Sequence, residues 1–512
     1  MKKKKSRQGF IQEKEEKKGL IKIVAFRIYE ALIKKELFQN WPFYIIVFLA
    51  IPTLFFLMKA ELSYPDGLGY FIYTRSLLLD HNLSFLNELK SLSINPEANK
   101  YFHYTQNGYI SSPFAIGTPI LWIPFFLFAH ILILFCNFFK TGYIIPTDGN
   151  SYLYLFSVSL GSCIYGILSL FLSLKLCLRL FLIKDSFLSL LAIWLSSPFV
   201  FCFYYMPNYS HLADSFAISL FLLMWVSSKD KNGLVWWFIY GISFGLLVLV
   251  RWQNLLLGIL LLIPLRIHKL FIQHILFGIG SFVVFLPQLI AWKIIYGKFF
   301  LIPQGEGFMR WTNPEILKFL FSSWHGLYSW TPILFFSTIG LFLLYKIDKR
   351  LFIGFLLIIL IQLYVNSCVA DWWAGISFGA RRLTGLTPIF ILGLACFLCF
   401  LRKGIIRYFL VSICFFWSFT LILSMLSSPD YLGEYHSYSE LIKIQLHSLL
   451  NLKESALKLL DFSPLEKIKE FKAYNLSSTI KTIYCIFGCL FFLFLKIAYI
   501  KIFRQKRGIS EV

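Results

Sequence analysis

Charge is scarce in this 512-residue chain: 15% of its residues are Asp, Glu, Lys or Arg, against 58% hydrophobic and 19% aromatic. A soluble domain needs a charged surface, so the shortage excludes one, and repeated apolar runs of about 20 residues point to an all-α polytopic membrane protein. Acidic residues are the scarcer sign, 26 against 49 basic, which leaves a net charge of +23. The basic residues sit in short clusters between apolar runs, where the positive-inside bias places them, and this argues against nucleic acid as a partner. Metal-type spacing is lacking too. Most of the ten cysteines lie inside apolar runs, Cys396 and Cys399 included, and read as small core residues rather than ligands or a disulfide framework. No cluster of His, Asp and Glu has a spacing that compels a metal, so no cofactor and metal independence are expected. No cleavable signal peptide is expected either, because the first apolar run begins near Pro42 with no small-residue cleavage site before the next polar stretch.

What is present follows a regular plan. Residues 1–40 open with Lys2 to Lys5 and continue through a charge run from Glu13 to Lys18, which predicts a cytoplasmic N-terminus with an amphipathic, surface-lying helix. Residues 41–426 form the transmembrane region, with a long first outer loop at 59–150; residues 427–480 are an outer segment, and 481–512 carry the last span and a basic cytoplasmic tail. Apolar length predicts spans near 42–58, 151–174, 187–204, 212–227, 234–250, 254–265, 272–292, 329–345, 351–367, 383–401, 405–426 and 481–500, about 12 in all. Basic groups such as Arg179/Lys184, Lys346/Arg350 and Arg402/Arg407 fall at every second junction.

That alternation carries a parity argument. If residues 114–139 also crossed, every one of those basic loops would move outside, against the bias. The segment is therefore expected not to span. Pro113, Gly117, Pro119 and Pro124 interrupt its first half, which suits a re-entrant or surface-lying hairpin, so that the first outer loop is half embedded. A proline-kinked span remains the other reading.

With this topology, polar residues converge on the outer side. Asp66 follows the first span; Tyr70 shares its helix face one turn on. Tyr205 to His211 join two spans, with Asp214 one turn inside, and Arg251 sits at the next outer turn. Further on come His325, Asp371 and the pair Arg381–Arg382. Ionisable groups at membrane depth are costly and are usually functional. Each also has a structural reading: Asp66 as a helix cap, Arg251 as a snorkelling end residue, His211 and His325 as satisfied interfacial histidines, and Arg381–Arg382 as a head-group anchor. Asp214 needs a partner whatever its role.

The stretches Tyr64-Pro65-Asp66-Gly67 with its trailing Tyr70 to Leu83, Ser112-Pro113 to Pro119, SHLADSFAISLF from Ser210, GLLVLVRWQNLLL from Gly245 and WWAGISFGARRLTGLTP from Trp372 occur in an order that resembles the GT-C superfamily of membrane glycosyltransferases. That group includes protein O-mannosyltransferases, aminoarabinose transferases and bacterial family-39-like relatives. The resemblance implies a GT-C-like bundle in the inner (plasma) membrane, with both termini cytoplasmic and the active site on the outer face. It also implies transfer of a sugar from a polyprenyl-phosphate donor to a lipid, polysaccharide or protein acceptor. Asp66 matches the acidic loop residue that acts as base. Asp214 matches an acid at the start of an inner helix, and Arg251 matches a basic residue at the following outer turn. Where the aminoarabinose transferases carry a lysine before the proline of the second motif, this chain has Ser112. The donor phosphate then falls to Arg251, Arg381 and Arg382, with Tyr70, His211, Asp214, His325 and Asp371 lining the cavity. The alternative function is a secondary transporter or lipid flippase, although such proteins usually show midplane carboxylates and an internal repeat, and neither is visible.

Overall fold

The computed structural model describes residues 40–54, 57–139, 144–228, 233–263, 271–401, 404–460, 495–497 and 499–500. The basic N-terminus, nearly all of the expected last span and the basic tail lie outside them. The chain divides into two units, residues 1–53 and 54–512. In the first, the described part is residues 40–53, which belong to helix α1, Asn40–Leu54.

Among the described residues the regular structure of the second unit is all helical, and its only bridges are Tyr104 with Ile110 and Met309 with Val369. The first loop holds α2 (Asp66–Arg75), continued by a π turn at Ser76–Asp80, and the short α3 (Leu86–Ser91). Then come α4 (Gly117–Phe138), α5 (Tyr152–Cys177), α6 (Ile183–Ser196), α7 (Pro198–Tyr204), α8 (His211–Ser227) and α9 (Leu234–Val250). A 3₁₀ helix, Trp252–Leu262, leads to α10 (Phe271–Tyr296), α11 (Ile316–Phe321), α12 (Leu327–Trp330), α13 (Ile333–Leu344) and α14 (Lys349–Ser367). A second 3₁₀ turn, Arg381–Leu386, runs into α15 (Thr387–Phe400), followed by α16 (Gly404–Ser427), α17 (Tyr438–Leu450) and α18 (Leu452–Leu460). Six of these segments, α4, α5, α10, α14, Arg381–Phe400 and α16, are long and apolar enough to cross a membrane, and α6 with α7 makes a seventh bent by 64°. The chain is a multi-pass membrane protein.

Three sequence expectations change. The span at 187–204 breaks at Ser197, whose hydroxyl accepts the Phe199 amide at 3.3 Å while Pro198 opens α7; a cap followed by proline starts a new helix. The span at 254–265 is the 3₁₀ helix Trp252–Leu262, which returns between α9 and α10. Those two helices run in the same direction, with Trp237 against His274 and Phe244 against Phe277. The hairpin expected at 114–139 is instead one unbroken helix, α4, with Pro124 inside it. Pro119 falls in its first turn, where the missing N–H would be unpaired in any case.

The bundle has two chemically distinct ends. At one, Arg407 meets Asp185 at 2.5 Å, Arg179 donates to Ser227 at 2.7 Å, and Arg350 lies over the Trp225 ring at 4.6 Å. Between the ends, small residues let helices close: Ser169 bonds Ser215 and Ser219 at 2.7 and 2.8 Å across the α5–α8 seam, the kind of contact that replaces the hydrophobic effect between helices in lipid. At the other end the start of α8, the end of α9 and the 3₁₀ turn before α15 meet, and there the polar residues gather.

Candidate functional site

Asp66 is the first residue of α2, and every later residue of that helix is buried. Its side chain stays 25% exposed while receiving the Arg381 Nη2 at 3.1 Å, so the carboxylate faces open space with one oxygen fixed. A carboxylate in a helix's first turn is also favoured by the helix dipole. The Arg381 guanidinium lies over the Tyr209 ring at 4.7 Å, a cation–π contact that holds its plane. Tyr70, one turn after Asp66, donates to the Ser210 hydroxyl at 2.9 Å, which ties α2 to the residue before His211. Burial, more than the neighbouring charges, pushes the Tyr70 phenol up to about 12 and raises Tyr209 as well; both stay protonated near neutral pH.

Beneath this layer Arg251 is committed to Asp214, with Nη1 3.3 Å from its Oδ2, 3.4 Å from the His211 Nδ1 and 3.4 Å from the Arg382 carbonyl. The other Asp214 oxygen accepts from Asn254 Nδ2 at 2.6 Å, and Gln362 reaches the Asn254 oxygen at 3.4 Å. This chain of amides extends to Asn366, which donates to the Gln362 carbonyl at 2.7 Å. Buried charge survives only when paired and hydrogen-bonded, and Asp214, 3% exposed, is both. Gly385 makes room: a Cβ there would lie 2.3 Å from Asp214 Oδ2.

Arg382 donates to the Asp371 carboxylate at 2.7 Å, and that carboxylate is 49% exposed. Among the described residues, Arg381 Nη1 and Arg382 Nε are buried and have no acceptor. Two guanidiniums thus carry unpaired N–H groups, enclosed in this conformation, beside a partly open carboxylate. An arrangement of this kind can receive a tetrahedral oxyanion.

The structure therefore brings together Asp66, Tyr70, His211, Asp214, Arg251, Arg381, Arg382 and Asp371. His325 lies apart from their bonds: its Nε2 is 3.1 Å from the Leu432 carbonyl and its ring packs on Trp330 at 4.4 Å. A carbonyl only accepts, so Nε2 carries the hydrogen. Ser112 is buried and bound to backbone, its amide donating to the Tyr296 hydroxyl at 3.0 Å and its hydroxyl reaching the Gly69 carbonyl at 3.4 Å. The residues the sequence reading passed over are Gln362 and Asn366, amides one turn apart in an apolar run; polar side chains at that depth were the available signal. Among the described residues no three His, Cys, Asp or Glu side chains gather as a metal site.

No family model matches the chain, and no curated protein matches it. Solved structures similar to it include ArnT from Cupriavidus metallidurans in the apo state, at 13% identity and a TM-score of 0.48, covering 90% of this chain and 76% of that one. ArnT from the same organism bound to undecaprenyl phosphate is similar at 11% identity and a TM-score of 0.43, covering 91% and 78%.

Proposed function

We propose that the chain is a GT-C-type glycosyltransferase that moves a sugar from a polyprenyl-phosphate donor to an acceptor hydroxyl on the non-cytoplasmic face. The observation that carries this reading is Asp66 at the start of α2, one oxygen held by Arg381 and the side chain still partly open, beside guanidinium donors without acceptors. The resemblance of the motif sequence supports it independently.

In this mechanism the acceptor hydroxyl gives its proton to the free Asp66 oxygen as its own oxygen bonds to the anomeric carbon. The bond from that carbon to the phosphate oxygen breaks, and the phosphate leaves with the electron pair. Arg381 and Arg382 supply N–H donors where that negative charge develops, in a site of low dielectric where such contacts are strong. Tyr70 and Ser210 hold α2 against α8 so that the carboxylate does not swing away. Arg251 and Asp214 brace the floor.

The test is Asp66→Asn. Asparagine keeps the size and the helix-start role but cannot take a proton, so the expected result is a folded protein that binds polyprenyl phosphate and transfers sugar at least ~10²-fold more slowly. Near-normal transfer by that variant would return Asp66 to a capping role and reopen the transporter reading.

A further inference from the structure

A cavity of about 800 Å³ opens beside the charged cluster, formed where the loop before α11, the segment after α14 and the start of α17 meet. That volume is within the range of small-molecule sites. Its walls are aromatic. Trp324 and Trp373 stack with centroids 4.2 Å apart and planes 15° from parallel, Trp372 stands on edge to both at 80° and 87°, and Tyr435 meets Trp324 at 90°.

The platform is held in place by backbone. The Arg310 amide donates to the Cys368 carbonyl at 2.7 Å and the Ala370 amide to the Phe308 carbonyl at 2.9 Å. Polar groups share the lining: Arg310, Asn313 and the pair Glu315–Lys318, whose ions are 3.0 Å apart. The Trp324 indole nitrogen is buried without a partner among the described residues. The wall is also joined to the site, because Ala370 and Trp372 flank Asp371, which accepts from Arg382 at 2.7 Å, and Arg381 holds Asp66 at 3.1 Å.

We infer that this cavity is a saccharide subsite that seats the glycan part of the acceptor. A pyranose ring has one face of C–H bonds, which suits the negative face of an indole, and a rim of hydroxyls, which suits the interleaved guanidinium, amide and carboxylate groups. A peptide acceptor would need exposed backbone partners for its own N–H and C=O groups, whereas the Arg310, Glu315 and Ala370 amides of this wall are already paired within it. The inference rests on the glycosyltransferase reading for what the glycan is for, but not for whether it binds.

The experiment measures binding of oligosaccharides to the full chain in detergent, by calorimetry and by quenching of tryptophan fluorescence. The probes are maltotriose, chitotriose and oligosaccharides released by mild acid from the envelope of the cell that makes the protein. At least one is expected to bind saturably. Trp373→Ala should weaken that binding at least tenfold, Trp373→Phe should recover part of it, and Asp66→Asn should leave it unchanged. Absence of binding by every probe, binding indifferent to Trp373→Ala in a protein that elutes as a single species, or binding of Ser/Thr-rich peptides in place of glycans overturns the subsite. Normal sugar transfer by Asp66→Asn would instead remove the catalytic reading and leave the subsite standing, so the two failures are distinguishable.

Discussion

Arg251 and Arg381 sit in one cluster yet meet different demands. Arg251 neutralises Asp214, a carboxylate 3% exposed, and removing one partner of a buried pair leaves the other uncompensated. Arg251→Met is therefore expected to destabilise the fold by about 3–5 kcal/mol, seen as a lower melting temperature in detergent. Arg381 and Arg382 hold donors without acceptors, and their loss should appear in ligand affinity. The double change Arg381→Gln with Arg382→Gln is expected to weaken polyprenyl-phosphate binding by about 1–3 kcal/mol, with Arg381→Lys retaining only part of the contact because an ammonium lacks the planar fork. Unchanged phosphate affinity in the double variant would move the phosphate elsewhere. His325 makes a prediction of another kind. Burial pushes its imidazole down to about 3, against the smaller upward pull of its bond to the Leu432 carbonyl. The native state thus stays unprotonated where the unfolded chain, with an ordinary histidine near 6.5, binds a proton. Stability from this group is present above that pH and is lost as the pH falls from about 6.5 towards 3. Replacing it, His325→Gln, should flatten that part of the melting-temperature profile between pH 7 and 4; an unaltered slope would place the acid sensitivity at other groups.

At the scale of elements, what was legible divides by the range of the forces involved. Asp66 could be found because a carboxylate directly after an apolar run, at a proline-led helix start, is a local signal. Its partner could not: the pairing with Arg381 comes from tertiary packing that brings the start of α2 onto the 3₁₀ turn before α15. Asp214, Arg251 and Asn254 were visible as polar breaks in apolar runs, but that they bond to one another depends on the 3₁₀ helix Trp252–Leu262 folding back between two helices that point the same way. An apolar run of that length has no periodicity that separates a short α-helix from a 3₁₀ return. In α4 the prolines were read as breaks, whereas one lies in the first turn and the other is tolerated within the helix. The close contact of α13 and α15, where a Cβ on Gly340 would lie 1.8 Å from the Gly393 carbonyl oxygen, has no sequence signal beyond two glycines in apolar runs.

At the scale of the whole molecule, the packing around α4 bears on which way that helix lies. Twenty-two residues make a helix about 33 Å long, enough to cross about 30 Å of hydrocarbon, so length alone permits a span. A span would put residues 144–150 on the opposite side from Asp66. Yet the Asp148 carbonyl accepts from Arg75 Nε at 2.7 Å, and Arg75 closes the same ten-residue helix that Asp66 opens, about 15 Å away. Ile145 packs in one cluster with Tyr70 and Phe71. Two segments held that close are expected to face the same side of the bilayer, and on that arrangement the arginines at the far end, Arg179, Arg350 and Arg407, would fall on the cytoplasmic side, as the charge bias predicts. We therefore predict that α4 starts and ends on the side of Asp66. The measurement is labelling of intact cells with a membrane-impermeant maleimide, in a chain whose exposed Cys399 is changed to Ser. A cysteine at Ile144, which is 79% exposed, should react without permeabilisation. One at Lys346, exposed at the basic end, should react only after it. Reaction of the Ile144→Cys protein only from the cytoplasm would make α4 a crossing helix and invert every loop assigned beyond it.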